Sequence, residues 1–277
     1  MDQTRRKMDE ARRRIDDAEQ KVERELGRAA REVERASGPV WARPEPGGRR
    51  ARFTRDQIAE AALGIADDEG IDAVSMRRVA SELGAGTMTL YHYVHTKEEL
   101  LALMDDAIMA ELLVPDDELA SNWRDALTQI ARRSRDALQR HPWVAEGEGL
   151  GDVYIGPNAL RHMEQSLAAV AGLEGDFTAK FEIVELIDAY VFGHALHSRA
   201  PGPQDPAAQA EWRERAFTFI DEQVATGGFP HLSEAMPAGG TAELWAKFEA
   251  ANADDERFER GLRRLLDGIE LELEGGR

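Results

Sequence analysis

From Phe53 to the end of the chain, apolar residues recur three and four positions apart, the spacing of one helical face. No alternating run has the length and turn spacing of a sheet, so the pattern predicts an all-α protein. Thr54 can cap a helix starting at Arg55, whose apolar face is Ile58, Ala61, Ala62, Ile65 and Ala66, with Gly70 placed to end it. Ser75 can cap a second helix that turns Val79, Ala80 and Leu83 inward. Gly84-Ala85-Gly86 predicts a tight turn, and a short third helix follows over 87–93. Thr96-Lys97-Glu98-Glu99 reads as a capping box for a fourth helix through Leu100, Leu101, Met104 and Ile108. Two strong helices are predicted further on. One spans 177–199 with Phe181, Val184, Ile187, Val191 and Leu196, apolar enough to be largely buried. The other spans 254–274 with Phe258, Leu262, Leu265, Leu266, Ile269 and Leu273 on one side.

Residues 2–36 follow a different pattern: one long polar helix with a thin stripe, Ile15, Val22, Leu26 and Val33, short of a full heptad seam. Ser37-Gly38-Pro39 ends it, and Pro44, Pro46, Gly47 and Gly48 make a linker. Three readings of this extension stay open. It is a solvated helix held by i,i+4 ion pairs of ~0.2–0.5 kcal/mol each. It docks on the body or on a second subunit. Or its clusters Arg5-Arg6-Lys7 and Arg12-Arg13-Arg14 add phosphate contacts. The chain thus divides into an extension and linker over 1–48, a head over 49–114 and a larger helical body over 115–277.

The formal net charge of −18 argues against a polyanionic partner only until it is divided. Residues 1–48 hold 12 Lys+Arg and 11 Asp+Glu, net +1; residues 49–100 hold 7 and 9, net −2; residues 101–277 hold 16 and 33, net −17. An acidic body held away from a polyanion limits non-specific sticking, while local basic residues elsewhere remain able to contact phosphate; the same charge also serves solubility alone, so charge does not choose. The absence of cysteine excludes disulfides, thiolate metal sites and cysteine nucleophiles. No apolar stretch approaches the ~20 residues that span a bilayer, and the N-terminus lacks the apolar core of a signal peptide. A cytoplasmic protein with no membrane partner is expected. There is no nucleophile motif, phosphate loop or clear acid–base pair, so neither enzymatic activity nor a cofactor is expected. His194 and His197, three apart near Asp188, match no chelating pattern, so no metal is expected.

Two short helices joined by a Gly-containing turn are the geometry of a helix-turn-helix. The third helix has the chemistry for groove insertion. Thr87 and Thr89 offer hydroxyls to base edges and methyls to thymine. Leu90 and Val94 anchor the helix, while Tyr91, His92 and Tyr93 carry polar tips able to reach phosphates or bases. Lys97, at the start of the fourth helix, lies where a phosphate is attracted. The stretch 53–101 resembles the head of the TetR family, above all in Ser75-Met76-Arg77-Arg78-Val79-Ala80-Ser81-Glu82-Leu83-Gly84 and Thr89-Leu90-Tyr91-His92-Tyr93-Val94-His95-Thr96-Lys97. The resemblance implies base contacts from Arg77, Thr87, Met88, Thr89, His92 and Tyr93. It implies phosphate contacts from Ser75, Tyr91, Lys97 and the segment before the first helix, which includes Thr54. Arg49, Arg50 and Arg52 are expected to form a basic arm toward phosphates or the minor groove.

The segment 261–270 resembles the end of a TetR subclass whose body is like that of the tetracycline repressor, as do His141-Pro142-Trp143-Val144 and Gly156-Pro157-Asn158. The resemblance implies that helices 177–199 and 254–274 pair with their mates in a four-helix interface of a homodimer, with Gly193, Gly261 and Gly268 suiting close packing. It also implies a cavity for a small-molecule effector, lined by His141, Trp143, Met163, Leu167, Tyr190 and His194. The expected function is a ligand-responsive repressor on a palindromic operator, with half-sites about 34–36 Å apart; activation is the alternative output. Two other readings are a helical interaction module that has lost DNA binding and a constitutive DNA binder without effector.

Overall fold

The computed structural model describes residues 38–46, 52–146, 155–197, 206–252 and 256–275. The long polar helix read over 2–36, with its stripe and basic clusters, lies outside them, as do Arg49 and Arg50. Every regular element among the described residues is helical. Helices α1 (Arg55–Glu69), α2 (Met76–Glu82) and α3 (Thr87–Leu90) form the head, and α4 (Lys97–Leu112) runs from it into the body. The N-terminal caps form as their side chains allow. Thr54 accepts from the amide of Gln57 at 3.1 Å and Gln57 returns the bond at 3.0 Å, a complete capping box. Ser75 accepts from the amide of Arg78 at 3.2 Å. The turn between α2 and α3 takes Gly84 to a φ of 61°, a backbone conformation costly for other residues. Ile58, Ala62, Val79, Leu90 and Val94 fill the head core. The third helix is shorter than its pattern predicts: beyond Leu90 it tightens into i→i+3 bonds, with the amide of Tyr93 donating to the carbonyl of Leu90 at 2.8 Å.

The body comprises α5 (Trp123–Arg140), α6 (Pro157–Val170), α7 (Phe177–His197), α8 (Pro206–Ala225), α9 (Pro230–Ala235), α10 (Gly240–Asn252) and α11 (Glu256–Gly275). α5 packs on α4, α6 and α7; α11 packs on α7; α8 holds α9 and α10 against itself. The α6 N-terminus is capped from α4. Asp106, buried, accepts from the amides of Asn158 at 2.8 Å and Ala159 at 3.1 Å and from the Asn158 side chain at 3.0 Å. A carboxylate there satisfies orphan N–H groups and meets the positive end of the helix dipole.

Its neighbour Asp105 is also buried, and burial, with Asp106 beside it, pushes its carboxyl up from 3.8 to about 6. A carboxyl raised in the folded state favours folding fully only while protonated below the unfolded value, and the contribution is lost as pH rises through about 6. Asp105→Asn is therefore expected to add roughly 1–3 kcal/mol at pH 7.5, read as a higher melting temperature. The gain should shrink as the pH is lowered from 6 toward 4. A loss at pH 7.5 would mean that the ionised carboxylate holds bonds an amide cannot replace.

The two strong body helices are buried to different extents. On α11 the stripe Phe258, Leu262, Leu266 and Ile269 is buried within the same chain, with Leu265 and Leu273 half-buried. Tyr190 of α7 donates to the carbonyl of Phe258 at 2.9 Å, and Gly261 permits this approach, since a Cβ there would overlap the tyrosine ring and hydroxyl. Ion pairs tie α11 to α5: Arg124 with Asp267 and Glu270, and Arg132 with Glu259 at 2.7 Å. α7, expected to be largely buried, fully buries only Val184, Ile187 and Val191; Leu186, Phe192 and Leu196 are exposed, since none of the described residues covers them.

Candidate DNA-reading face, head–body joint and body groove

Leu90, fully buried, fixes α3 to the head core and thereby sets which side chains turn outward. Met88 is 62% exposed, His92 is exposed, and Thr87 and Thr89 are half-buried at its edge. Arg77 on α2 and Lys97 at the first position of α4 are exposed, while Ser75 and Tyr91 are half-buried. The neighbouring arginine on α2, Arg78, is occupied: it bridges Glu69 and Glu82, each at 2.7 Å, and so braces α2 against α1.

Tyr93 departs from its expected role at the bases. It is 3% exposed, and its hydroxyl accepts from the backbone amides of Arg52 at 3.0 Å and Phe53 at 3.4 Å. It is a strut that holds the chain entering α1. The reason is its place in the tightened end of α3, which turns it back toward the core rather than outward. Arg52 is exposed, with its guanidinium 5.4 Å from the Phe53 ring centroid. The box expected at the start of α4 also differs. Thr96 accepts from Glu99, but the carboxylate of Glu99 reaches past the cap to the amide of His95 at 2.7 Å and to Arg43 at 2.6 Å.

The six residues expected around one cavity separate into different places. His141, 5% exposed, presents Nδ1 to Asp67 of α1 at 2.8 Å and Nε2 to Glu111 of α4 at 3.2 Å. Trp143 donates from Nε1 to the same Asp67 oxygen at 2.8 Å. These two side chains therefore join body to head, their polar atoms spent on carboxylates of α1 and α4. Tyr190 and His194 pack against Phe258 of α11, with burial holding the His194 imidazole below its usual value. Met163 is exposed on α6, and Leu167 is half-buried there.

A groove of about 850 Å³ opens elsewhere, between the end of α4, the chain following it and α6. Leu113, Val114, Pro115, Leu119, Leu160 and Ala168 supply its apolar surface, and none of the six expected residues lines it. Its polar residues are Asp116, Arg161, Glu164 and Gln165. Gln165 is buried and closes a paired bond with the backbone of Val114, at 2.9 and 2.7 Å, so the chain leaving α4 is stitched to α6 at the groove floor. Among the described residues no cluster of metal-ligating side chains occurs, and no helix is long and apolar enough to cross a membrane. The sequence reading missed Asp67, Asp106 and Gln165, since each is one polar residue in a helix and owes its role to a partner tens of positions away.

Comparison with known proteins agrees with this architecture. Residues 58–104 match the family model described as bacterial regulatory proteins, tetR family, and residues 114–273 match the tetracyclin repressor-like C-terminal domain. The chain is 32% identical over 227 residues to the HTH-type transcriptional repressor DrrR1 of Streptomyces coeruleorubidus, covering 81% of this chain and 80% of that one. It is 30% identical over 229 residues to the tetracycline repressor protein class E from Escherichia coli, covering 81% and 94%. Among solved structures, the Streptomyces coelicolor TetR family protein ActR in complex with (S)-DNPA is similar with a TM-score of 0.56 and 28% identity, over 82% of this chain and all of that one. With both halves matched, and a helix-turn-helix head joined to an all-helical body, the chain belongs to the TetR family of DNA-binding transcriptional regulators.

Proposed function

We propose that the chain is a homodimeric, ligand-responsive repressor that reads a palindromic operator. The observation that carries this reading is the outward edge of α3, Met88 and His92 with Thr87 and Thr89 beside them, flanked by exposed Arg77 and Lys97. In this reading Arg77 and the α3 side chains meet base edges, and Ser75, Tyr91, Lys97, Thr54 and the Arg49, Arg50, Arg52 arm meet phosphates. Two heads related by a two-fold axis then enter successive major grooves about 34–36 Å apart. The exposed side of α7, with Leu186, Phe192 and Leu196, supports pairing of two copies, because apolar side chains gathered on one helix gain from leaving water.

The effector reading rests on the groove between α4 and α6. ActR has been crystallised with actinorhodin and with (S)-DNPA, and we extend small-molecule binding from that relative to this chain. A molecule entering the groove touches the chain directly after α4, the helix whose start carries Lys97 and follows α3. It shifts DNA binding only by its differential affinity for the two settings of that helix.

The test is selection of bound sequences from a random double-stranded pool at fixed physiological salt. An enriched palindrome with half-sites one helical turn apart is the expected result. Only salt-sensitive general binding would replace this reading with a constitutive, non-specific binder. With the selected duplex as probe, Arg77→Ala should cost about 1–3 kcal/mol and relax preference at one position, while Lys97→Ala should weaken all duplexes alike and lower the salt slope by about 1. Equal effects of the two variants on every duplex would remove Arg77 from base reading.

A further inference from the structure

Residues 38–46 precede the part of the chain matched by the family's head model, which begins at 58, yet they are built into the head. Val40 is 2% exposed and belongs to the main core, and Trp41 packs on that core. Arg43 reaches the carboxylate of Glu99 at 2.6 Å and Nδ1 of His95 at 2.7 Å. The carbonyl of Arg43 accepts from Arg55 at 3.0 Å, and Arg55 also donates to the carbonyl of Tyr93 at 3.3 Å. Glu45 accepts from the Arg55 amide at 2.5 Å. The nine residues thus grip the turn between α3 and α4 from one side and the start of α1 from the other.

We infer that residues 38–46 are a clamp that sets the pitch of the recognition helix relative to α4, with Arg43 as its positioning residue. Glu99 is 2% exposed, and its carboxylate is held by Arg43 and by the amide of His95. A buried carboxylate is intolerant of losing the cation hydrogen-bonded to it. The Arg43 guanidinium meets Oε2 of Glu99 and Nδ1 of His95 at once because its donors fan out in a plane, which an ammonium cannot imitate; Oε1 of Glu99, also buried, has no hydrogen-bond partner among the described residues. His95 suits this role: burial, and Arg43 itself, hold its imidazole below the usual value, which leaves Nδ1 able to accept. The clamp reaches the body as well. A ring carbon of Trp41 lies 2.7 Å from where a Cβ on Gly156 would stand, beside the Asp106 cap of α6, so the strap, α4 and α6 meet at one glycine. Movement of α6 against α4 at the groove is therefore felt by the same nine residues that hold the reading head.

The experiment uses the full chain with Arg43→Ala, Arg43→Lys and the double variant Arg43→Ala/Glu99→Gln, which folds without stranding a buried charge should Arg43→Ala alone fail to fold. Two quantities are measured: amide hydrogen exchange, and affinity for the selected duplex relative to a shuffled duplex at the same salt. The expected result is faster exchange confined to the amides of His95 and its neighbours through Glu99, with the selected-to-shuffled ratio falling by about tenfold, a 1.4 kcal/mol effect. Arg43→Lys should recover part of it and the double variant none. Exchange that rises evenly over the head, or a ratio unchanged in folded variants, overturns the clamp. The affinity arm rests on the function proposed above, whereas the exchange arm does not. If the parent enriches no duplex, that function fails, and the clamp is decided by exchange alone.

Discussion

Phe258→Ala is expected to cost about 3–5 kcal/mol, the range for deleting a buried aromatic side chain where the cavity cannot collapse. Phe258 is 1% exposed and lies in the first turns of α11. Its ring meets Tyr190 at 5.4 Å and His194 at 5.1 Å, both from α7, and the Arg135 guanidinium of α5 stands 4.7 Å above it. Three helices therefore converge on one ring. The alanine leaves Arg135 over an emptied space and removes the tilted ring that packs on Tyr190, whose bond to the backbone carbonyl of residue 258 remains. Two of the neighbours are held by other bonds, Tyr190 by that carbonyl and Arg135 by Asp136 at 2.6 Å, so the site has little freedom to close. Urea unfolding followed by circular dichroism would show a lower midpoint at similar slope. A change below about 1 kcal/mol would mean that α11 detaches readily and contributes little to the body of a single chain.

Asp67→Ala is expected to cost about 2–6 kcal/mol, since removal of one acceptor strands two buried donors at roughly 1–3 kcal/mol each. The carboxylate receives both His141 and the Trp143 indole at 2.8 Å. Asp67 belongs to the head, whereas His141 and Trp143 belong to the segment after α5, so the same change should also loosen head from body. Glu111 continues the joint, facing the other nitrogen of His141 and pairing with Arg140 at 2.5 Å. Both ring nitrogens of His141 therefore face carboxylates, one from α1 and one from α4. The variant is checked by urea unfolding and by titration of the selected duplex. Weaker operator binding together with lower stability is expected. Parent-like values in both would show that α4 alone fixes the head against the body.

These two sites measure how far sequence reading extends. His141 and Trp143 were conspicuous as residue types, and their family resemblance pointed to an effector cavity. The structure spends their polar atoms on the head instead. A buried histidine or indole must find a partner, and which partner it finds depends on elements brought together by packing. The partner here, Asp67, is one acidic residue among Asp67, Asp68 and Glu69 at the end of α1, and nothing local separates it from its neighbours. Tyr93 shows the same limit at closer range. Its type suits a groove contact, but the one-turn length of α3 rotates it inward.

The sequence by itself determined the helical class, the starts of the head helices and the turn between α2 and α3. These follow from local causes: periodic apolar positions, hydroxyl caps three residues from the amides they receive, and a glycine where φ must be positive. It also determined the outward chemistry of α3, because one buried anchor, Leu90, sets the face of so short a helix. Only the tertiary structure decided the pairings that hold the molecule together: Arg43 with Glu99, 56 positions apart; Asp67 with His141, 74 apart; Asp106 with Asn158, 52 apart; and Gln165 with Val114, 51 apart. Such pairs leave no periodic trace, since each side chain could satisfy its hydrogen bonds equally well in water. They form because packing of the apolar faces removes that water and leaves each polar group with the partner within reach.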